Sequence, residues 1–150
     1  MSFKTIIVGA DSAGYDLKTE LIAYLKEKGY TVEDCGTDSS ASCHYPTFAT
    51  AVATRVQKEP DAFGLLVCGT GIGMSMAANK YRGIRAAVCG DTFSARMTRM
   101  HNNANVLCIG ARVTGPGLAK DIVDAFLQAE FEGGRHAIRV DMISDIEKNG

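Results

Sequence analysis

The chain has 150 residues, of which 46% are hydrophobic, and its 17 acidic and 16 basic residues leave a formal charge of −1. This length and hydrophobic content predict one domain over residues 1–150 with a substantial core. The near-neutral charge argues against a general attraction to nucleic acid or to an anionic membrane surface, so neither is expected as a partner.

Apolar runs that are bounded by turn residues predict five β-strands. In chain order, these strands cover residues 5–10, 31–35, 63–67, 84–89 and 105–109. Apolar residues at helical spacing follow each strand and predict five helices, and a sixth helix is predicted from Ala137 to Lys148. We expect Asp11 or Ser12 to cap the first helix and Pro46 to begin the second.

The regular alternation of strand and helix predicts a Rossmann-like three-layer α/β/α sandwich around a five-stranded parallel sheet. We expect the stripe of Phe93, Met97 and Met100 on the fourth helix to face its core. The sixth helix has no obvious place in such a sandwich, so we expect this C-terminal helix to be used in dimerisation. The sequence therefore predicts a homodimer, and it leaves open whether dimers pair into tetramers.

The cysteines and the absence of targeting signals bear on location. The chain shows no basic and then apolar leader pattern and no apolar run long enough to span a bilayer, which predicts a cytoplasmic protein without a membrane partner. Its five cysteines are an odd number and include no C-x-x-C pair. We expect free thiols, with neither disulfides nor a zinc site.

The most informative stretch is Val67-Cys68-Gly69-Thr70-Gly71-Ile72-Gly73-Met74, where a buried strand turns into a helix. Glycine amides at the start of a helix can hold an anion. The loop lacks the Lys-Ser/Thr of a P-loop and the spacing of a dinucleotide-binding loop, so its glycines alone also suit a tight structural turn. Cys68 favours function, because open α/β sheets bind ligands at the carboxyl ends of their strands.

The chemistry that this stretch can support follows from a thiol and an anion hole. A thiol titrates near about 8.5 when unperturbed, and a helix N-terminus or a nearby cation lowers that value, so Cys68 could act as base or nucleophile. The amides from Gly69 to Gly73 could hold an oxygen that becomes negative during a reaction. This combination suggests proton abstraction next to a carbonyl group, whereas Cys89 and Cys108 are interpreted as inert buried thiols.

Further candidates lie later in the chain. His101 ends the fourth helix near the expected ligand edge and could shuttle a proton, although a helix-terminal cation is the commoner use of such a residue. Arg135, His136 and Arg139 follow the Gly133-Gly134 break, so two guanidinium groups could be aimed at one phosphate. A charged helix start is the alternative.

Several separated motifs together resemble the ribose-5-phosphate isomerase B family, which includes the galactose-6-phosphate isomerase subunits. They are Asp11, Tyr45-Pro46, Cys68-Gly-Thr-Gly-Ile-Gly73, Ala77-Ala-Asn-Lys80, His101-Asn102-Asn103, and Gly133-Gly-Arg-His136 with Arg139. The resemblance covers essentially the whole chain. It implies an aldose–ketose isomerase of phosphorylated sugars that needs no metal or other cofactor and works as a dimer with active sites at the subunit interface.

The resemblance also implies a role for each matching residue. Cys68 would move a proton between C1 and C2 through a cis-enediolate, Thr70 would assist, and His101 would open the sugar ring. The substrate-binding residues would be Asp11, Ser12, Tyr45, Gly69, Gly71, Ile72, Gly73 and Asn102. The phosphate-binding residues would be Arg112, Arg135, His136 and Arg139.

The sequence departs from the family at Ser12, where typical members have a histidine that helps to hold the phosphate end of the substrate. A shorter hydroxyl there leaves the substrate's length open. Ribose 5-phosphate is the first candidate, with allose 6-phosphate, a tetrose 4-phosphate, or galactose 6-phosphate in a heteromeric enzyme as alternatives. A non-catalytic phosphosugar-binding module is a further alternative of another class, and a thiol redox protein is disfavoured by the lack of a C-x-x-C pair.

Overall fold

A computed structural model describes residues 5–150, and residues 1–4 of the predicted domain lie outside this range. Five strands form one sheet in the order β2-β1-β3-β5-β4. Every pairing between neighbouring strands is parallel, as the sequence predicts. The strands are β1 (Thr5–Ala10), β2 (Thr31–Asp34), β3 (Ala62–Cys68), β4 (Ala86–Val88) and β5 (Val106–Gly110).

Helices cover both faces of this sheet, which confirms the three-layer sandwich. Leucines of α1 and apolar residues of α4 and α5 pack on one face against Phe63, Leu65 and Val67 of β3. Residues of α2 and α3 pack on the other face, where the alternate β3 residues Leu66 and Cys68 point. The helices are α1 (Tyr15–Glu27), α2 (Tyr45–Lys58), α3 (Ile72–Ala78), α4 (Thr92–Asn102), α5 (Pro116–Gln128) and α6 (Arg135–Asn149).

The C-terminal helix α6 lies outside the sandwich. Its buried residues are His136 and Val140, and it packs on α4. Ile138, Met142 and Ile146 recur every four residues and are 64%, 60% and 71% exposed, so they form an apolar stripe that residues 5–150 leave uncovered. That this helix is used in dimerisation remains a prediction.

Two local expectations were wrong. The first helix is preceded by Gly14 without a side-chain cap, because the Asp11 carboxylate accepts the Gly14 N–H in the turn before the helix. Phe93 is 62% exposed and does not face the core. The core side of α4 consists of Ala95, Thr98 and Arg99, because the helix is rotated relative to the apolar stripe.

Lys18 is an unusual member of the interior. Its side chain is 1% exposed, and its Nζ donates to both carboxylate oxygens of Asp34 and to the carbonyl of Thr37. The ammonium group thereby ties α1 to the chain that leaves β2. Within the described part of the chain, no helix combines the length and apolar character that crossing a membrane requires.

Candidate active site

The carboxyl edge of the sheet brings several of the predicted residues together. Ala10 pairs with Val67, and Cys68 pairs with Gly110, so β1, β3 and β5 end at the same level. Asp11 and Ser12 follow β1, the glycine loop follows β3, and Arg112 follows β5. Parallel strands thus place the candidate base, its loop and one candidate phosphate ligand at one edge.

Cys68 is the last residue of β3 and is 5% exposed. The Gly71 N–H donates to its Sγ across 3.1 Å. Gly71 has a φ of 81°, a left-handed conformation that glycine adopts without strain, and this conformation turns the amide back toward the sulfur. An N–H donor is a favourable neighbour for a negatively charged sulfur. The loop and the thiol therefore form one unit.

Close backbone packing holds the glycine loop against β5. A Cβ atom on Gly110 would lie 2.6 Å from the Thr70 backbone, so only glycine allows this approach. The Thr70 hydroxyl accepts the Ile72 N–H at 3.3 Å, where α3 begins. The loop is thus held in place by its contact with β5 and by the Thr70 side chain.

Two large side chains flank the loop. The Tyr45 ring lies over Gly73, where an added Cβ would come within 2.7 Å of two ring carbons. The Arg112 guanidinium lies beside Gly69, and the Arg112 N–H donates to the Gly69 carbonyl at 3.0 Å. The sequence resemblance placed Tyr45 near the sugar and Arg112 near the phosphate, and both do lie at the edge that carries Cys68.

The Asp11 carboxylate at the same edge already accepts one hydrogen bond within the chain. One oxygen accepts the Gly14 N–H at 3.0 Å, and the Asp11 N–H donates to the carbonyl of Val67, the residue before Cys68. The other oxygen can still accept a hydroxyl group. Ser12 is half-buried beside it.

Other buried cysteines differ from Cys68 in their surroundings. Burial raises the pKa of the Cys89 thiol to about 11, and Asp91 acts in the same direction. Burial also raises the pKa of Cys108. Both thiols remain protonated and unreactive at neutral pH, as predicted for them.

A second group of predicted residues lies around the end of α4. The imidazole rings of His101 and His136 stack with centroids 4.1 Å apart and planes 7° from parallel. Glu132 Oε1 lies 3.2 Å from His101 Nε2 and 3.5 Å from His136 Nε2. Arg135 and Arg139 are exposed one turn apart on α6, as two ligands of one phosphate would be, and Asn102 is exposed at the end of α4.

These two groups lie at opposite edges of the sheet within one chain. The helix α4 runs back from the carboxyl edge, so His101 lies five residues before Val106, the first residue of β5. Val106 pairs with Gly64, and the interval from Gly64 to Cys68 alone spans roughly 13 Å. The expectation that His101 lies near the ligand edge of its own chain was therefore wrong.

His136 is buried, with 8% of its surface exposed. Burial lowers the pKa of His136. The neighbouring His101, Arg135 and Arg139 lower the pKa of His136 further, whereas Glu132 raises it. Because its Nε2 faces Glu132, only its Nδ1 is left for a phosphate.

His101, Glu132 and His136 bring three potential metal ligands within 4.8 Å of one another. A metal ion binds imidazole in the plane of the ring, along the nitrogen lone pair. Two rings that stack 7° from parallel have no shared in-plane point between them. The three groups as they stand therefore do not suit a metal ion that both histidines would bind.

Glu132 is the member of this group that the sequence analysis missed. It precedes the Gly133-Gly134 break, and the sequence pattern there pointed only to the residues that follow, Arg135, His136 and Arg139. The signal that could have found it is its spacing of four residues from His136 in a turn that must fold back on α4.

Known proteins resemble the chain over nearly its full length. A model of the Ribose/Galactose Isomerase family matches residues 6–143. Ribose-5-phosphate isomerase B of Escherichia coli (strain K12) is 50% identical over 145 residues, which cover 97% of each chain. D-erythrulose-4-phosphate isomerase of Pectobacterium atrosepticum is 49% identical over 144 residues, which cover 95% of each.

Solved structures agree with this relationship. The ribose-5-phosphate isomerase B of Clostridium thermocellum superimposes with a TM-score of 0.95 at 52% identity, covering 97% of this chain and 98% of the other. The Mycoplasma genitalium enzyme, solved with bound ribulose-5-phosphate, gives a TM-score of 0.94 at 42% identity, covering 97% of each chain. The sequence resemblance is thereby confirmed, and the chain belongs to the ribose/galactose isomerase family.

Proposed function

We propose that the chain interconverts ribose 5-phosphate and ribulose 5-phosphate, with Cys68 as the base. The observation that carries the proposal is the Gly71 N–H that donates to Cys68 Sγ across 3.1 Å at the carboxyl end of a central strand. This arrangement suits a thiolate next to a loop of backbone amides. The related enzymes from E. coli and C. thermocellum carry the name of this activity.

The proton transfer follows from these positions. The Cys68 thiolate removes the proton on C2 of the open-chain aldose, and the carbonyl oxygen on C1 takes up the negative charge of the cis-enediolate. The amides from Gly69 to Gly73 hold that charge, with assistance from Thr70. Return of the proton to C1, with transfer of the hydroxyl proton from O2 to O1, then gives the ketose.

We further propose that each active site is built from two copies of the chain. Asp11, Tyr45, Cys68 and Arg112 of one copy bind the sugar, while the group at the end of α4 on the other copy opens the ring and holds the phosphate. That second group comprises His101, Asn102, Arg135, His136 and Arg139. Two-fold pairing would produce two such sites, because it places each edge opposite the other.

Exposed apolar surface supports this pairing. The α6 stripe of Ile138, Met142 and Ile146 lies toward the amino edge at β4, where Ile143, Ile146 and Ala86 line one open cavity. Ile72 and Val88, which are 49% and 44% exposed, lie toward the carboxyl edge. An isologous interface would cover both patches with one contact.

A tetrose 4-phosphate is the second candidate substrate. The P. atrosepticum relative named D-erythrulose-4-phosphate isomerase is about as similar to the chain as the E. coli enzyme. Ser12, which stands where typical family members have a histidine, alters the donor set at the carboxyl edge. Substrate length is therefore the property most open to change.

Isomerisation assays of the purified chain test the proposal. We expect the highest kcat/KM on ribose 5-phosphate, compared with erythrose 4-phosphate, allose 6-phosphate and galactose 6-phosphate. Cys68→Ala should lower kcat at least about 10³-fold while retaining sugar-phosphate binding. A higher kcat/KM on another sugar would transfer the assignment to that sugar.

Absence of turnover on all four sugars would reject the self-sufficient enzyme. Turnover that returned only after a different partner subunit was added would indicate a heteromeric isomerase. Sugar-phosphate binding without any turnover would indicate a binding module. Activity that was abolished by a chelator and restored by a metal ion would contradict the metal-free mechanism.

A further inference from the structure

Glu132 contacts both histidines through a single atom. Its Oε1 lies 3.2 Å from His101 Nε2 and 3.5 Å from His136 Nε2. A carboxylate oxygen can accept two N–H groups, because it has two lone pairs. An imidazole N–H points along the plane of its ring, however, and the two planes are stacked 7° from parallel, so this oxygen can align with only one ring. The shorter distance favours His101.

Backbone geometry fixes Glu132 in this place. Its N–H donates to the Met100 carbonyl at 3.0 Å, which ties it to the residue before His101. The next two residues, Gly133 and Gly134, have φ values of 69° and 56°, which favour glycine. The His136 N–H then donates to the Gly133 carbonyl at 3.0 Å, so one turn sets the carboxylate beside the Nε2 edges of the two stacked rings.

The charged surroundings favour a neutral His136. Burial, His101, Arg135 and Arg139 lower the pKa of His136, and Glu132 alone opposes them among these neighbours. The stacked rings, with centroids 4.1 Å apart, would repel each other if both were protonated. His101 is the more exposed of the pair, with 37% of its side chain accessible against 11% for His136, so it is the ring that a substrate can reach.

We propose that Glu132 is a positioning residue for His101. Its carboxylate accepts the His101 Nε2–H, which selects that tautomer and leaves Nδ1 with its lone pair toward the substrate. His136, stacked on the other side, restrains the rotation of the ring. This inference rests on the proposed function, in which His101 of one copy opens the ring of a sugar bound at Cys68 of the other.

The ring-opening step then balances as a proton transfer. Nδ1 takes the proton of the anomeric hydroxyl, the bond between C1 and the ring oxygen breaks as the C1 carbonyl forms, and the proton passes from Nδ1 to the ring oxygen. Nothing is oxidised or reduced. The Glu132 carboxylate stabilises the imidazolium that exists between the two transfers.

This role separates substrates by their ability to close a ring. Ribose 5-phosphate closes a five-membered ring through its C4 oxygen. In a tetrose 4-phosphate, that oxygen is esterified to phosphate, so the sugar reaches the site without such a ring. Glu132 should therefore matter for the pentose phosphate and not for the tetrose phosphate.

Steady-state kinetics of Glu132→Gln and Glu132→Ala in the full chain test this separation. With ribose 5-phosphate, we expect Glu132→Ala to lower kcat by about 10- to 100-fold with little change in KM, and Glu132→Gln, which still offers an acceptor, to lose less. With erythrose 4-phosphate, both variants should stay within about twofold of the unmodified chain. Glu27→Gln, an exposed change on α1, serves as the control for loss of a carboxylate. Equal losses on the two sugars, or no loss on either, would overturn the proposal.

A measurement without substrate keeps the two proposals distinguishable. ¹⁵N NMR of the imidazoles, assigned with His101→Gln, should show the Nε2–H tautomer for neutral His101 in the unmodified chain and a mixture of tautomers in Glu132→Ala. The Nδ1–H tautomer in the unmodified chain, or an unchanged tautomer in Glu132→Ala, would reject the positioning role. If the unmodified chain turned over neither sugar, the proposed function would fail, and the NMR result would still decide the role of Glu132.

Discussion

Cys68 and His101 lie at opposite edges of the parallel sheet, although both are candidates for the same reaction. Cys68 ends β3, whereas His101 precedes the start of β5. The register of β3 and β5 separates these levels by at least roughly 13 Å along the strands. A single chain therefore cannot place both side chains on one small sugar phosphate, and this separation leads to the first prediction.

Two inactive variants should complement each other. In a mixed dimer of Cys68→Ala and His101→Ala chains, one site contains both lesions and the other contains neither. Randomly paired co-expressed chains should recover about a quarter of the unmodified activity, because about half of the dimers are mixed and each has one intact site. The measurement is kcat per protomer after co-expression.

Asp11→Asn paired with Cys68→Ala is the matched control for complementation. Both lesions lie at the carboxyl edge, so every site in their mixed dimer carries one lesion, and no recovery above the separate variants is expected. Recovery in the control, or none in the test pair, would argue against a shared site.

The exposed stripe on α6 should control assembly. Met142→Asp and Ile146→Asp introduce a charge on residues that are 60% and 71% exposed in the single chain. If the stripe is buried between subunits, we expect the mass measured by light scattering to fall by about half, together with turnover. Leu118→Asp, at a 42% exposed position on α5, controls for the replacement of an exposed apolar side chain by a charged one. Dimers that persisted in both α6 variants would place the interface elsewhere.

Gly73→Ala should displace Tyr45 without disturbing the fold. The added Cβ would come within 2.7 Å of the Tyr45 ring, which can swing aside because its contacting atoms are at the end of the side chain. Alanine suits the helix that begins there, so unfolding should be unaffected. We expect kcat/KM to fall by about 10- to 100-fold through loss of substrate positioning.

The Tyr45→Ala background tests the cause of that loss. Once the ring is absent, Gly73→Ala should cost little further activity. An equal loss in both backgrounds would mean that the methyl group acts on the loop itself.

The buried ion pair of Lys18 and Asp34 should respond unequally to its two truncations. Asp34→Ala leaves an ammonium group that is 1% exposed without a counter-charge, holding the Thr37 carbonyl and lying over the Tyr15 ring, so we expect a loss of about 3 kcal/mol in the free energy of unfolding. Lys18→Met leaves a carboxylate that is 48% exposed and can be hydrated, so its loss should be smaller. Urea denaturation of both variants and of the double variant provides the comparison. The expectation fails if Lys18→Met is the more damaging change.

His136 should make the fold more sensitive to acid. Burial and the neighbouring cations lower its pKa in the folded chain, so the unfolded chain binds a proton more readily. Stability from the neutral ring is fully present above the unfolded value of about 6.5 and is lost as the pH falls below it. In urea denaturation between pH 7.5 and 5, the unmodified chain should therefore lose stability more steeply than His136→Gln. Parallel profiles for the two chains would contradict this expectation.

The sequence by itself determined the fold class and the position of the candidate base. Apolar runs that alternate with helical apolar stripes predicted the parallel sheet. Strands buried on both faces are apolar throughout, whereas the helices that cover them are apolar along one face. A cysteine that ends a buried strand before three alternating glycines located the site at Cys68. The family followed from motifs spread along the chain, since each keeps its order and spacing in the sequence.

Only the tertiary structure decided which residues meet. The sequence placed His101 near the ligand edge, but a helix that follows a parallel strand must run back, which carried His101 to the other edge. The rotation of α4 buried Arg99 and exposed Phe93, because contacts with α5 and α6 outweigh the local apolar stripe. The contact of Glu132 emerged only because the Gly133-Gly134 turn folds its carboxylate against the Nε2 edges of two rings that are 35 residues apart in the chain, and local sequence pattern does not encode such a contact.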